Sequence, residues 1–270
     1  MDSEMDVRHP VVLLMGKTGA GKSTLGNLLL ERRELFKVSD GWETETKKCC
    51  VETLSINGNT YNIVDTPGFF NTHEDDSLKE IAKFIHKCAH GVRAILLVLK
   101  SERFTDEQRN TLDVIRTFLG KDARNNIIVV FTHANPDQIK YRDRMQKAWE
   151  NIPHFNSFIR DINSRWIVAP NPYNFDVDGQ ISEDRLVEIK DLISNIREIF
   201  TTRQLEENLE LQLREEMRLK EEELKRKRKE MIISSMANGM KFGSTFPVPK
   251  LAEYACGITG YAIGCLNKLD

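Results

Sequence analysis

The sequence is poor in features that mark several common classes of protein. Its 270 residues include five cysteines, an odd number without a C-x-x-C spacing, so neither a zinc site nor a disulfide framework is indicated. The net charge of −2 provides no excess of Lys and Arg to neutralise phosphates, which argues against a nucleic-acid partner. Residues 1–10 are polar and lack the apolar core of a signal peptide. We therefore expect reduced thiols and a cytoplasmic location.

A long hydrophobic run is also missing. Residues 252–266 are moderately apolar, but Glu253 and three glycines interrupt them, and they are shorter than the roughly 20 residues that span a bilayer. The sequence therefore predicts no transmembrane helix. For the tail 234–270, lipid contact, packing against the rest of the protein and disorder all stay open. Lipid contact would make this tail a peripheral link to intracellular membranes.

What is present is a regular alternation of apolar runs with segments of helical period. The turn signal Asn57-Gly58 makes the second and third strands an antiparallel hairpin. We therefore predict an α/β fold, in which a mostly parallel six-stranded sheet has one antiparallel edge strand and helices on both faces. Strands are expected at 11–15, 50–56, 60–64, 94–99, 127–131 and 166–169, and helices at 23–30, 77–88, 105–119, after Pro136 and at 183–200.

Composition divides the chain into four parts. A tail at 1–9 precedes the domain at 10–200 that contains the predicted strands and most of the helices. Residues 201–233 are predicted to form a charged helix, because 18 of the 28 residues from 203 to 230 are charged, with acid-to-base pairs four apart. A thin apolar stripe on this extension either lies on the domain or pairs with a second chain as a coiled coil. The weakly apolar tail 234–270 follows.

The most informative motif runs from Gly16 to Ser23 and matches G-x-x-x-x-G-K-[ST] directly after the first strand. Backbone N–H groups of such a loop form a concave anion site at the start of the next helix. Lys22 is then expected to reach the β- and γ-phosphates, and the Ser23 hydroxyl to bind Mg²⁺. The motif predicts a nucleoside triphosphate site formed by Gly16, Lys17, Thr18, Gly19, Ala20, Gly21, Lys22, Ser23 and Thr24.

A second motif, Asp65-Thr66-Pro67-Gly68, follows the third strand and fits the D-x-x-G pattern. We expect Asp65 to hold Mg²⁺ through a water molecule and the Gly68 N–H to sense the γ-phosphate. Between the two motifs lies a polar stretch with Thr44 and Thr46. We choose Thr46 as the residue that brings its hydroxyl to Mg²⁺ and orders this loop when triphosphate is bound; the alternative is that both threonines are ordinary surface residues.

Together these segments resemble the immunity-associated GTPases, the GIMAP or IAN family. The resemblance rests on residues 16–24, 46–49, 65–69 and, as its distinctive part, 94–99 followed by Arg103-Phe104-Thr105-Asp106-Glu107. It spans about residues 10–200. It implies a phosphate-loop GTPase fold, with an AIG-type guanine-nucleotide-binding domain that is related to septins and chloroplast import receptors and binds GTP or GDP with Mg²⁺. It also implies a homodimer or oligomer that forms across the nucleotide face when GTP is bound.

Base recognition departs from the usual [NT]-K-x-D pattern, in which a carboxylate accepts two hydrogen bonds from guanine. His133 replaces the lysine, and its ring would pack against the base. Strict spacing puts Asn135 at the carboxylate position, whereas a two-residue insertion would put Asp137 there. We prefer Asp137, because an amide mismatches guanine. The resemblance also implies that Asn171 lies beside the base.

Hydrolysis is expected to be slow. Gly68 is followed by Phe69 and Phe70, and neither side chain can orient water as the glutamine of many GTPases does. We name Arg103 as an arginine that would act on the nucleotide of a second copy. The first interpretation is therefore a GTP-controlled switch and scaffold. The alternatives are an efficient hydrolase activated by dimerisation and an ATP-dependent phosphate-loop enzyme.

Overall fold

A single six-stranded sheet organises the first part of the chain. The computed structural model describes residues 7–32, 34–38, 48–68, 74–172 and 179–237. The strand order is β2-β3-β1-β4-β5-β6, and every neighbouring pair is parallel except β2 with β3. This confirms the predicted sheet with its antiparallel edge strand. The strands are Val11–Met15 (β1), Cys50–Ile56 (β2), Asn59–Asp65 (β3), Val92–Lys100 (β4), Ile127–Thr132 (β5) and Trp166–Val168 (β6).

Eight α-helices and one 3₁₀ turn connect the described strands or follow them. Two expectations need correction. The helix predicted to run to Phe200 ends at Asn195, because Phe200 pairs with Val92 as an isolated antiparallel bridge. After Pro136 the chain forms three short helices separated at Tyr141 and at Ile152. The helices are Lys22–Leu29 (α1), Glu74–His86 (α2), Asp106–Leu119 (α3), Pro136–Lys140 (α4), Arg142–Trp149 (α5), Pro153–Asp161 (α6), Gly179–Asn195 (α7) and Thr202–Ala237 (α8), with the 3₁₀ turn at Asp122–Asn126.

The two faces of the sheet carry separate cores. Alternate residues of the central strands, including Val12 and Leu14 of β1, pack with Leu25 of α1 and Ile189 of α7. On the opposite face the ring of Phe131 of β5 contacts Phe155 of α6 and Trp166 of β6. Because the four central strands are parallel and covered on both faces, their carboxyl ends meet at one edge, where such sheets bind ligands.

The chain divides into two compact units, Met1–Leu205 and Glu206–Asp270. Described residues of the second unit form the greater part of α8. Ion pairs one turn apart line this helix, among them Arg214 with Glu210 at 3.2 Å and Lys227 with Glu223 at 2.7 Å. Such exposed pairs each stabilise a helix by only about 0.2–0.5 kcal/mol. Among the described residues, no helix combines the length and the hydrophobicity that a bilayer crossing requires.

Gly91, directly before β4, has no room for a side chain. Its φ is +64°, and a Cβ added there would lie 2.4 Å from Ile199 Cγ2 and 2.9 Å from the Phe200 carbonyl oxygen. The same carbonyl accepts a hydrogen bond from the Val92 N–H at 2.8 Å. This position therefore requires glycine for two reasons: its backbone conformation has a positive φ, and a side chain would collide with Ile199 and Phe200.

We expect Gly91→Ala to lower the free energy of unfolding by about 2–4 kcal/mol, the sum of left-handed strain and overpacking. Gly58→Ala is the matched control, because Gly58 also has a positive φ, +78°, but nothing within 4 Å of an added Cβ. The control should cost only about 1–2 kcal/mol. Urea unfolding followed by tryptophan fluorescence measures both; equal losses would show that the bridge does not constrain Gly91.

Candidate nucleotide-binding site

The phosphate loop connects β1 to α1 at the carboxyl edge of the sheet. Gly21 precedes the helix with a φ of 89°, so that α1 begins at Lys22. Within the loop the Ala20 N–H donates to the Lys17 carbonyl at 3.1 Å. The amino end of α1 therefore faces the loop, as an anion site at a helix N-terminus requires.

Lys22 is the central cation of this loop. Only 6% of it is exposed, and its Nζ donates to the carbonyl oxygens of Gly16 and Lys17, each at 3.2 Å. Burial lowers the pKa of the Lys22 ammonium to about 8, while the nearby Asp65 carboxylate acts in the opposite direction. At neutral pH the ammonium is therefore still charged, but it is held in a place that disfavours charge.

The two predicted metal ligands that the structure describes lie next to each other. The Ser23 hydroxyl donates to Asp65 Oδ2 at 2.6 Å, and Asp65 is 1% exposed. A hydroxyl and a carboxylate are hard oxygen donors, which suits Mg²⁺. Among the described residues no group of three or more His, Cys, Asp and Glu side chains is placed to hold a metal ion. The other ligands of a Mg²⁺ ion here would be water and phosphate oxygens, as is usual for this ion.

The D-x-x-G segment contacts the phosphate loop directly. A Cβ added to Gly68 would lie 2.2 Å from Thr18 Oγ1 and 2.4 Å from the Thr18 backbone nitrogen. The Thr66 hydroxyl donates to the Leu14 carbonyl at 2.7 Å and is completely buried. Thr66 thus anchors the segment to β1, a role that the motif alone did not reveal.

On the other side of the loop lie Thr132, the last residue of β5, and His133, which follows it. The Thr132 hydroxyl donates to the Ala20 carbonyl at 2.6 Å. A Cβ on Gly21 would lie 3.4 Å from His133 Cε1, so the imidazole is close to the phosphate loop. Partial desolvation and the charge of Lys100 lower the pKa of His133, and Glu102 opposes them. The ring is therefore neutral at pH 7, a form suited to stacking on a base.

The two candidates for guanine recognition are both engaged in local contacts. Asn135 is the N-cap of α4. Its Oδ1 accepts from the Gln138 backbone N–H at 2.9 Å, and the Asn135 backbone N–H donates to Gln138 Oε1 at 3.0 Å. Asp137 lies in the first turn of α4 and forms an ion pair with Arg144. The choice between them stays open. Asn171 is half-buried just after β6.

The cation at the end of β4 that lies nearest the phosphate loop is Lys100. Its Nζ is 3.9 Å from a Cβ built on Gly19, and it pairs in register with Thr132. The predicted Arg103 is exposed, three residues further along. Sequence reasoning selected Arg103 from the family-specific block and missed Lys100, although its place at the end of a parallel strand was a usable signal. Thr46 and the pair Phe69 and Phe70 lie outside the described residues.

The fold and the loop geometry define a nucleotide-binding protein of the phosphate-loop GTPase fold. The sequence model of the AIG1 family matches residues 11–226, and the chain belongs to this family. It is 30% identical over 192 residues to immune-associated nucleotide-binding protein 13 of Arabidopsis thaliana, covering 70% of this chain and 55% of that protein. The chain thus spans about half the length of the curated relatives it matches.

Solved structures agree with the fold. Toc33 from Arabidopsis thaliana in complex with Mg²⁺ and GMPPNP superposes with a TM-score of 0.55 at 20% identity, covering 73% of this chain and 89% of that one. Another match has a TM-score of 0.51 at 21% identity and covers 72% and 87% of the two chains. It is described as showing that dimerization is important for the GTPase activity of the chloroplast translocon components atToc33 and psToc159.

The buried Lys22 leads to a prediction about stability. Between pH 8 and 10.5 the folded chain releases the Lys22 proton before the unfolded chain does, so this group makes stability rise with pH over that window. Below pH 8 the buried charge is destabilising. We therefore expect Lys22→Met to stabilise the nucleotide-free protein at pH 7 by on the order of 1–3 kcal/mol, less what the two unpaired carbonyls cost.

Urea unfolding across pH 7 to 10.5 tests this prediction. The advantage of Lys22→Met should shrink through the window, whereas the control Lys17→Met, which removes a lysine of the same loop that is not buried, should follow the parent at every pH. A variant less stable than the parent at pH 7, or a difference independent of pH, would contradict the assignment.

Proposed function

We propose that this chain binds GTP and GDP with Mg²⁺ and acts as a slow GTPase that switches between associated and dissociated states. The observation that carries the proposal is the convergence of Lys22, Ser23 and Asp65 at the carboxyl edge of the sheet, with 2.6 Å between Ser23 Oγ and Asp65 Oδ2. Membership of the AIG1 family supports guanine as the base. The nucleotide-bound Toc33 structures, which share the fold, support the choice of ligand and metal.

Each residue has a defined task in this proposal. The Lys22 ammonium exchanges its two carbonyl acceptors for phosphate oxygens, and backbone N–H groups of the loop and the first turn of α1 hold the remaining phosphate charge. A bound Mg²⁺ would supply positive charge against the negative charge that develops on the phosphates. Ser23 would bind the ion directly, and Asp65 would hold it through water. Asp65 is well placed for this task because it is buried next to Ser23.

The choice between guanine and adenine separates this proposal from the alternative of an ATP-dependent enzyme. A neutral His133 ring would stack on guanine or adenine equally. Selectivity then depends on a carboxylate, and Asp137 would have to leave its ion pair with Arg144 to accept the guanine N–H groups. Asn135 would have to leave its capping box. We propose Asp137 with Asn171 as the base contacts, because an exposed ion pair is weak and easily given up.

The first experiment measures competition for a fluorescent N-methylanthraniloyl-GTP. Unlabelled GTP should displace it at least tenfold more effectively than ATP, and Asp137→Asn should reduce that ratio. Equal displacement by ATP and GTP would favour the ATP-dependent enzyme.

The phosphate contacts are tested separately. Lys22→Ala should lose binding of the fluorescent nucleotide. Ser23→Ala should bind it equally with Mg²⁺ or with EDTA, whereas the parent should bind it more weakly in EDTA.

The proposal also includes self-association of the chain when GTP is bound. GTP would order the loop around Thr46 and the segment after Gly68 into a face that meets a second copy, as the AIG1 membership and the dimerizing structural neighbours support. Arg103, exposed near the carboxyl edge, would contact the nucleotide of the partner copy. Lys100, which lies close to Gly19, would contact the nucleotide of its own chain.

Turnover measured against protein concentration separates these two cations. The specific activity of the parent should rise with concentration. Arg103→Ala should remove most of that rise, because an arginine acting in trans contributes about three to five orders of magnitude at full effect. Lys100→Ala should reduce activity at every concentration and weaken nucleotide binding. Specific activity independent of concentration, or unchanged in Arg103→Ala, would reject the trans-acting arginine.

A further inference from the structure

The short helix α4 presents both candidates for contact with the base, Asn135 directly before it and Asp137 in its first turn. It has only five residues, Pro136–Lys140, whereas isolated helices shorter than about 12–15 residues are marginal in water. Contacts with the rest of the protein must therefore set its position. One of them holds its first turn, because the Ser101 hydroxyl donates to Gln138 Oε1 at 2.9 Å.

Arg185 of α7 holds the other end of α4. Its Nε donates to the Ile139 carbonyl at 2.9 Å, and its Nη2 donates to the Lys140 carbonyl at 3.3 Å. Carbonyl groups in the last turn of a helix have no partner within that helix. Both bonds come from one planar guanidinium group, so they fix the direction of the helix end as well as its position.

The Arg185 side chain is itself held firmly. Its Nη1 pairs with Glu188 Oε2, one turn along α7, at 2.6 Å, and only 14% of the side chain is exposed. The helix α7 packs against the sheet through Ile189 and Ile193, which are completely buried. These two side chains belong to the same core as Leu14 of β1, the strand that leads into the phosphate loop. Arg185 therefore links α4 to the rigid part of the nucleotide site.

The corner after α4 has a separate anchor. Arg142, the first residue of α5, donates from Nη2 to the Trp166 carbonyl of β6 at 2.7 Å. Its guanidinium carbon also lies 4.3 Å from the centre of the Trp166 ring, as in a cation–π contact. Arg142 thus fixes the chain beyond α4, whereas Arg185 bonds to α4 itself. A change at Arg185 removes the direct contact and leaves the corner in place.

We propose that Arg185 is a positioning residue for guanine selectivity, which holds α4 where a side chain at the start of that helix reaches the base. The inference rests on the proposed binding of guanine nucleotides. It holds for Asn135 and for Asp137 alike, because both are fixed by the same helix. Hydrogen bonds weaken steeply when distance and angle depart from their optimum, so displacement of α4 costs base contacts. The phosphate contacts of Lys22 lie on another element and are retained.

The first measurement tests the positioning of α4 in the full-length, nucleotide-free protein. Backbone hydrogen exchange over residues 136–141, followed by mass spectrometry, should be at least fivefold faster in Arg185→Ala than in the parent. Lys190→Ala is the matched control. Lys190 also lies on α7, but it pairs with Glu31 after α1. Exchange over residues 136–141 should therefore be unchanged in the control.

The second measurement tests selectivity by calorimetry with GTP, ATP and inorganic tripolyphosphate. Arg185→Ala should bind GTP at least fivefold more weakly than the parent, with the affinities for ATP and tripolyphosphate within twofold of the parent's. Lys190→Ala should keep the parent's ratio of GTP to ATP affinity. Arg185→Lys keeps the charge beside Glu188 and therefore the fold, but an ammonium group cannot replace the planar fork. It should still lower the ratio at least threefold.

The outcomes separate this inference from the proposed function. Unchanged exchange over residues 136–141, or a parental ratio of GTP to ATP affinity in both Arg185 variants, would overturn the positioning role alone. Equal losses for all three ligands, or the same losses in Lys190→Ala, would also overturn it, because they would show general damage to α7. A parent that binds ATP as tightly as GTP would contradict the proposed function itself.

Discussion

The parallel register of β1 with β3 is the constraint on which the nucleotide site depends. Leu14 pairs with Asp65, and the chain crosses from these positions directly into the phosphate loop and the D-x-x-G segment. The Thr66 hydroxyl fixes this register from the side by bonding to the Leu14 carbonyl. A slip of one residue would turn Asp65 to the other face of the sheet and separate it from Ser23. Asp65, one of the two proposed metal ligands, is therefore positioned by hydrogen bonds between strands, far more rigidly than a loop alone would allow.

Much of this arrangement is readable from the sequence, and the reason is local. The phosphate loop, the Asn57-Gly58 hairpin and the apolar strands depend on residues close together in the chain, so pattern reasoning located all six strands to within a few residues. The end of α7 at Asn195, before Phe200, could not be predicted in this way. The segment after α7 has helical character, but its pairing with Val92 is a contact between residues more than 100 positions apart, which no local pattern reports.

The segment after β5, where the base is expected to bind, is a second case that local sequence patterns could not resolve. The sequence left Asn135 and Asp137 as rival candidates because spacing alone could not separate an insertion from a substitution. The structure explains why the motif is irregular: Asn135 and Gln138 form a capping box that starts α4 directly after β5. An asparagine at this position satisfies a helix terminus. Helix capping thus occupies the residue that strict spacing puts at the base-recognition position. Thr132 was found only through the tertiary contact that brings its hydroxyl to the phosphate loop.

The buried ammonium of Lys22 has a consequence for the life of the protein in the cell. A cation held among carbonyl oxygens in a desolvated loop raises the free energy of the empty state, and an anionic ligand relieves that penalty. Ligand occupancy and folding are then linked by mass action, with stabilisation that grows with the logarithm of ligand concentration. The ligand-free form therefore has the lower free energy of unfolding. Quality-control proteases have the best access to the chain in the interval between release of one ligand and capture of the next.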